Sequence, residues 1–198
     1  MRKTVMNGIY SIAVFCGSRR GADPAFAAAA RALGLGLAKA GIRLVYGGGK
    51  NGLMGVLADA VLEDGGAVLG VIPEFLTRWE VAHPGLTEMT VTGTMHDRKR
   101  RMAEEADAFV TLPGGIGTMD ETIEIISWRQ LRLHDKPIFV CDIAGSAAPF
   151  VAAVEGAIAQ GFAGPETRAL FTVVNGVPAL LEHLESAPRG SGVAASRL

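Results

Sequence analysis

The sequence has few cysteines and no excess of charge of either sign, and each shortage excludes a class of protein. Only two cysteines, Cys16 and Cys141, occur in 198 residues. Both lie in apolar runs, which favours buried thiols in a reducing cytoplasm over a disulfide or a metal site. The 19 Lys and Arg residues are balanced by 20 Asp and Glu residues. This balance removes the electrostatic argument for a nucleic-acid partner, which would require clustered excess Lys and Arg, and we expect none.

Long hydrophobic runs are also missing. No apolar run reaches the roughly 18 residues that a membrane-spanning helix needs. Arg2 and Lys3 precede only a short apolar stretch, so we predict neither a signal peptide nor a membrane partner. The four histidines are scattered without metal-ligand spacing, and no metal is expected. Glycine is abundant instead, with 26 residues.

The glycines cluster where apolar runs end and helical patterns begin, which indicates repeated strand–loop–helix units. The apolar runs predict strands at residues 11–16, 42–46, 67–72, 86–91, 108–112, 137–141 and 171–174. The intervening patterns predict helices at residues 24–40, 51–64, 94–106, 118–133, 148–160 and 178–184. Strands that are apolar throughout need helices on both faces. The expected fold class is therefore α/β, with a doubly wound parallel sheet.

The length accommodates a single domain, which we place at residues 1–186. Residues 187–198, rich in Gly, Ser and Ala from position 189 onward, are expected to form a disordered tail. Ligands of such sheets bind at the carboxyl ends of the strands. The glycine-rich loops after Cys16, Tyr46 and Leu112 should therefore converge on one edge.

The loop Pro113-Gly114-Gly115-Ile116-Gly117-Thr118 lies between a predicted strand and a helix. Glycines let main-chain N–H groups approach an anion, and a helix N-terminus favours phosphate. A monophosphate suits the loop, because the loop lacks the Lys-Ser/Thr ending of a P-loop. No Gly-x-Gly-x-x-Gly follows the first strand, which disfavours a dinucleotide oxidoreductase. The alternative is that the glycines only make a tight turn.

Glu121 has two interpretations. In one, Thr118-x-x-Glu121 is a capping box, in which the glutamate bonds back to the Thr118 amide. In the other, the carboxylate points into a pocket beside the bound phosphate. Asp120 is interpreted as a complement to the helix dipole.

A dense basic run occupies residues 96–101 and contains Arg98 and Lys99. Solvated helix surface is one interpretation of this run. The other is an anion site, in which Arg98 offers a bidentate fork and Lys99 a point charge. Glu80, in the long stretch before the fourth strand, is by itself typical of an exposed acid.

Two motifs resemble those of a known family. Residues 113–121 read Pro-Gly-Gly-x-Gly-Thr-x-x-Glu, and residues 95–102 read Met-His-x-Arg-Lys-x-x-Met. Together they resemble the LOG (Lonely Guy) family of cytokinin riboside 5′-monophosphate phosphoribohydrolases, whose members were often labelled lysine decarboxylases. Further shared motifs in the same order extend the resemblance over residues 11–185.

The resemblance implies a Rossmann-like homodimer that cleaves the N-glycosidic bond of N6-modified adenine riboside 5′-monophosphates to free base and ribose 5-phosphate. The family's catalytic pair falls on Arg98 and Glu121. Its substrate contacts fall on Ser18, Glu80, Lys99, Gly114, Gly115, Ile116, Gly117, Thr118, Met119, Asp120 and Ser127. The pair Arg19-Arg20 departs from the family pattern, in which a second serine is common after Gly17-Ser18.

Two alternatives to this activity stay open: an AMP nucleosidase without cytokinin preference, and a non-catalytic nucleotide-binding or carrier protein. Decarboxylation of lysine is not expected. That reaction normally needs pyridoxal phosphate on a Schiff-base lysine, and the few lysines include no obvious candidate, so no cofactor is predicted.

Overall fold

A parallel sheet forms the centre of the protein. The computed structural model describes residues 8–78, 82–188 and 190. The strands within these ranges are β1 (Ser11–Phe15), β2 (Arg43–Tyr46), β3 (Val68–Pro73), β4 (Glu88–Thr92), β5 (Ala108–Thr111), β6 (Ile138–Asp142) and β7 (Thr172–Asn175). They lie in the order β4-β3-β2-β1-β5-β6-β7, and all neighbouring pairs are parallel. The order reverses at β1, which confirms the predicted doubly wound sheet.

Among the described residues, an α-helix follows each strand except β3. The helices are α1 (Pro24–Ala40), α2 (Gly52–Glu63), α3 (Met95–Glu105), α4 (Ile116–Gln130), α5 (Ala148–Ala159) and α6 (Gly176–Ser186). Two 3₁₀ segments, Glu74–Arg78 and Pro165–Leu170, were not part of the predicted pattern. None of the helices in the described ranges has the length and apolar character needed to cross a membrane.

The burial of β1 explains the unbroken apolar run over its residues 12–15. Ile12 and Val14 pack into a core with residues of α1, α2 and α6. Ala13 and Phe15 point to the opposite face and pack with residues of α3 and α4. Successive side chains of a strand alternate between the two faces of the sheet. Because helices cover both faces here, apolar side chains are favoured at successive positions of the strand.

The ends of α1 follow the sequence signals directly. The Asp23 carboxylate accepts a hydrogen bond from the Ala25 N–H at 2.8 Å, Pro24 is the first helical residue, and Gly41 ends the helix with φ 71°. At the other end of the chain, the predicted tail from residue 191 onward lies outside the described residues. Ala187, placed in that tail by the sequence, is buried against the core.

Both cysteines are buried free thiols, as predicted. Burial raises the pKa of Cys141 to about 11, and the nearby Asp142 adds to the shift. Burial also raises the pKa of Cys16, with a further contribution from the charge of Glu121. Both groups are therefore protonated at neutral pH.

Candidate active site

The carboxyl ends of β1, β2 and β5 meet at a cavity of about 320 Å³. Ser18 follows β1, Gly47 follows β2, and the first turn of α4 follows β5, so the three glycine-rich loops converge on one sheet edge as predicted. Helix α3 supplies Met95 and Arg98 to the same cavity.

Arg98 and Glu121 form a buried ion pair in this cavity. Arg98 Nη2 lies 3.0 Å from Glu121 Oε1, and the two side chains are only 8% and 11% exposed. Arg98 Nη1 lies 3.4 Å from Met95 Sδ. Arg98 is therefore not part of a solvated helix surface, which was one interpretation of the basic run. Its guanidinium instead holds the Glu121 carboxylate at the cavity wall.

Gly47 makes room for this guanidinium. A Cβ atom added at position 47 would lie 2.4 Å from Arg98 Nη2. Any side chain at this position would push the guanidinium away from Glu121. The glycine after β2 therefore has a steric role in the ion pair.

The capping-box interpretation of Glu121 is wrong. Helix α4 begins at Ile116, two residues before the predicted start, and Gly115 is its N-cap residue. Thr118 lies inside the first turn and cannot be the N-cap. The extended backbone of Gly115 lets the helix start earlier, and the Glu121 carboxylate is directed to Arg98 instead.

The N-terminus of α4 opens into the cavity. No side chain caps the first turn, and its residues Gly115 to Thr118 line the cavity wall. The free N–H groups and the positive end of the helix dipole favour an anion here. Glu121 is on the same wall, about one and a half turns further along the helix.

Lys99 lies between two carboxylates rather than in the cavity. Its Nζ is 3.0 Å from Glu124 Oε2 and 3.1 Å from Asp120 Oδ2. Partial burial lowers the pKa of Lys99, but its hydrogen bonds to Glu124 and Asp120 outweigh that effect and hold the pKa above its usual value. The predicted contact of Lys99 with phosphate stays a prediction, and it would compete with these two ion pairs.

The other predicted site residues divide into three groups. Ser18, Gly115, Ile116, Gly117, Thr118 and Asp120 line the cavity of the ion pair. Gly114 and Met119 line an adjacent pocket, which also includes Ser18 and Gly115. Ser127 is half-buried further along α4 and belongs to neither lining. Glu80 lies outside the described residues.

The sequence analysis missed Cys16 and Met54 as cavity residues, having assigned Cys16 only to the core. A signal was present, because Cys16 is the last residue before a glycine at the carboxyl end of a strand. The residues that the structure describes contain no group of three or more His, Cys, Asp and Glu side chains that could hold a metal ion.

Comparison with known proteins identifies the family to which this chain belongs. The family profile described as "possible lysine decarboxylase" matches residues 54–184. The probable cytokinin riboside 5′-monophosphate phosphoribohydrolase LOGL1 of Oryza sativa subsp. japonica is 41% identical over 186 residues, covering 94% of this chain and 83% of the relative. The cytokinin riboside 5′-monophosphate phosphoribohydrolase of Rhodococcoides fascians is 42% identical over 177 residues, covering 89% of each chain. The chain belongs to the LOG family.

The fold of this LOG-family chain is shared with more distant proteins. A molybdenum cofactor binding protein from Rippkaea orientalis superposes with a TM-score of 0.67 at 20% identity, covering 89% of this chain and 95% of that one. Sequence identity at this level supports a shared Rossmann-like fold, and it gives no information about the ligand.

The lysines of this LOG-family chain do not suit Schiff-base chemistry. The buried Lys136 donates to the carbonyl oxygens of Ala103 and Ala106 at 2.8 and 2.5 Å, at the end of α3. Lys99 is held by its carboxylates. In the part of the chain that the structure describes, no lysine lines the cavity or the adjacent pocket. The word decarboxylase in the profile's description therefore finds no support in the site.

Proposed function

We propose that this chain hydrolyses cytokinin riboside 5′-monophosphates, breaking the bond between the purine base and C1′ of the ribose and releasing the free base and ribose 5-phosphate. Relatives at about 40% identity carry this activity in their names. The observation that carries the proposal is the buried Arg98–Glu121 pair, which shares one cavity with the uncapped N-terminus of α4.

The N-terminus of α4 is the proposed binding site of the 5′-phosphate. Its main-chain N–H groups would donate to the phosphate oxygens, and the helix dipole favours the negative charge. A phosphate held there fixes the position of the ribose, so binding energy remote from the reacting bond orients that bond for cleavage.

Glu121 is the proposed catalytic carboxylate. As the bond to the base breaks, positive charge develops on C1′ and the ring oxygen of the ribose. A carboxylate beside C1′ stabilises that charge and orients the attacking water, as in glycoside hydrolysis. Water supplies the hydroxyl group to C1′, and the departing base takes up a proton.

Arg98 has two roles in this proposal. Its Nη2 holds Glu121 at 3.0 Å and keeps the carboxylate in the cavity wall. Arg98 also lines the cavity, so its positive charge would offset negative charge on the phosphate or on the departing base.

A homodimer is part of the proposal. Helix α4 and its C-cap residue Leu131 carry exposed apolar side chains: Ile116 is 81% exposed, Ile123 53% and Leu131 68%. Such side chains suit burial against a second copy, which would then lie beside the active site. Analytical ultracentrifugation is expected to give twice the chain mass of 20.6 kDa.

A cytoplasmic location completes the proposal, since the two buried thiols stay reduced there. Fractionation of cells that produce the tagged protein tests it. Recovery in the membrane or extracellular fraction would contradict it.

Chromatography of the products tests the activity. Incubation with AMP, N6-isopentenyl-AMP and adenosine should release base from the monophosphates and little from adenosine. A higher kcat/KM for the isopentenyl substrate separates a cytokinin enzyme from a plain AMP nucleosidase. Glu121→Gln should lower kcat at least about 100-fold. The matched control is Glu104→Gln, which removes an exposed carboxylate on α3. Base release that survives Glu121→Gln would refute the mechanism.

A further inference from the structure

A second pocket of about 580 Å³ lies beside the candidate active site. Ser18 and Gly115 line both spaces and form the boundary between them. The walls come from the loops after β1 and β5 and from the starts of α1, α2 and α5. The residues that line it are Gly17, Ser18, Arg19, Arg20, Gly21, Phe26, Leu53, Pro113, Gly114, Gly115, Met119, Ser146 and Pro149.

The two spaces differ in charge. The second pocket is lined by Arg19 and Arg20 and by no acidic side chain. The active-site cavity contains one arginine together with Asp120 and Glu121. Neither Arg19 nor Arg20 forms an ion pair or a hydrogen bond with another described residue. Two exposed arginines without an ion-pair partner among the described residues, at a pocket without acidic side chains, favour an anionic ligand.

The loop that carries these arginines is tightly packed. Gly52, with φ +66°, approaches the backbone so closely that an added Cβ would lie 2.2 Å from the carbonyl carbon of Ser18. Gly21, with φ +76°, lies against the ring of Phe26, where a Cβ would be 2.6 Å from a ring carbon. The Gly17 N–H also donates to the Pro113 carbonyl at 3.1 Å. The arginine loop therefore packs tightly against α1, α2 and the loop of residues 113–118.

We propose that this pocket is a second anion subsite, which takes a phosphoryl group beyond the 5′-phosphate. The inference rests on the proposed function, because it places the 5′-phosphate at the N-terminus of α4. From there, the next phosphoryl group of a nucleoside 5′-diphosphate passes the boundary at Ser18 and Gly115 and meets Arg19 and Arg20. Free pyrophosphate presents the same chemistry to the arginines, so the ligand has two possible sources.

Calorimetric titration of the full chain with ADP, AMP and pyrophosphate tests the subsite. The titrations use the Glu121→Gln background, so that no substrate is consumed. Arg19→Ser/Arg20→Ser is expected to weaken ADP binding about tenfold and AMP binding less than about threefold. The matched control is Arg31→Ser/Arg168→Ser, which removes two exposed arginines that line neither space. This control should change neither affinity.

The outcomes separate the ligand sources. Loss confined to ADP assigns the subsite to the second phosphate of a nucleotide. Loss confined to pyrophosphate keeps the subsite and assigns it to a free anion. Equal loss for AMP and ADP overturns the proposal, because the arginines would then bind the 5′-phosphate itself. Unchanged affinity for both ADP and pyrophosphate also overturns it.

A second measurement covers variants that fold poorly in the Glu121→Gln background. ADP should inhibit base release from AMP by the chain with Glu121 intact, and the inhibition constant should rise about tenfold in Arg19→Ser/Arg20→Ser. An unchanged inhibition constant would contradict the subsite. If no base is released from either AMP or N6-isopentenyl-AMP, the proposed function fails, while the calorimetric comparison still reports on the arginine pocket.

Discussion

Replacing Arg98 by methionine should destabilise the protein strongly, because the buried Glu121 carboxylate loses its cation. The two side chains are 8% and 11% exposed and 3.0 Å apart, so water can replace the guanidinium only in part. Removing one partner of a buried ion pair typically costs about 3–5 kcal/mol. In a domain of this size, a loss of about 3 kcal/mol lowers the Tm by at least about 6 °C.

Neutralising Glu121 as well should recover part of this loss. The double variant Arg98→Met/Glu121→Gln no longer buries an unpaired charge, and a neutral pair of similar volume is often tolerated. We expect it to be about 2 kcal/mol more stable than Arg98→Met alone. Both variants should have lost base release, so they are expected to differ in stability and not in activity.

Urea unfolding of the parent, both single variants and the double variant completes the thermodynamic cycle. Arg100→Met is the matched control, since Arg100 pairs with Asp97 three residues earlier on the same helix and is 39% exposed. That change should cost no more than about 1 kcal/mol. The reasoning is refuted if Arg98→Met costs no more than Arg100→Met, or if the double variant is no more stable than Arg98→Met.

Three further predictions concern packing and thiol chemistry. Gly47→Ala should lower kcat at least about tenfold, because its Cβ displaces the Arg98 guanidinium, whereas Gly93→Ala, with open space around position 93, should not. Lys136→Met should lower the free energy of unfolding by about 3 kcal/mol in urea titrations, since two carbonyl oxygens at the end of α3 lose their donor. At pH 8 an alkylating reagent should label Cys141 slowly, because its pKa is raised to about 11, and unfolding in urea should remove this protection. Rapid labelling of the folded chain would contradict the burial.

The fold could be predicted from the sequence because its main signals are local. The apolar run of β1 and the Asp23-Pro24 start of α1 each report on their own neighbourhood, and the structure has both within a residue. Strand β4 was less well placed, at residues 86–91 rather than Glu88–Thr92. Its side chains are exposed or half-buried, so the apolar pattern that locates the inner strands is weak there.

The partnership of Arg98 with Glu121 could not be predicted from local signals, because it depends on how α3 packs beside α4. One helical signal was available nevertheless. Met95, Met102 and Ala103 lie three, four and five positions from Arg98, and Met102 and Ala103 are buried with it. The period of the helix therefore turns Arg98 inward, while Arg100 and Arg101 remain 39% and 42% exposed. The residues of a basic run on a helix therefore lie on different faces. Apolar residues three or four positions away indicate which basic residue is buried.

The spacing between the start of α4 and Glu121 determines how far the carboxylate lies from the helix N-terminus. Ile116 is the first residue of α4, and Glu121 follows five residues later on the same cavity wall. At about 1.5 Å per residue, the Cα atoms of these two residues lie roughly 7.5 Å apart along the helix axis. The Glu121 side chain leans back toward the N-terminus, as side chains of a helix do, so its carboxylate lies closer to the first-turn amides than this rise. In the proposed complex, a phosphate at the helix N-terminus would therefore place the ribose beside the carboxylate. The helix itself sets the distance between the two groups, and Arg98 from the neighbouring helix sets the direction of the second.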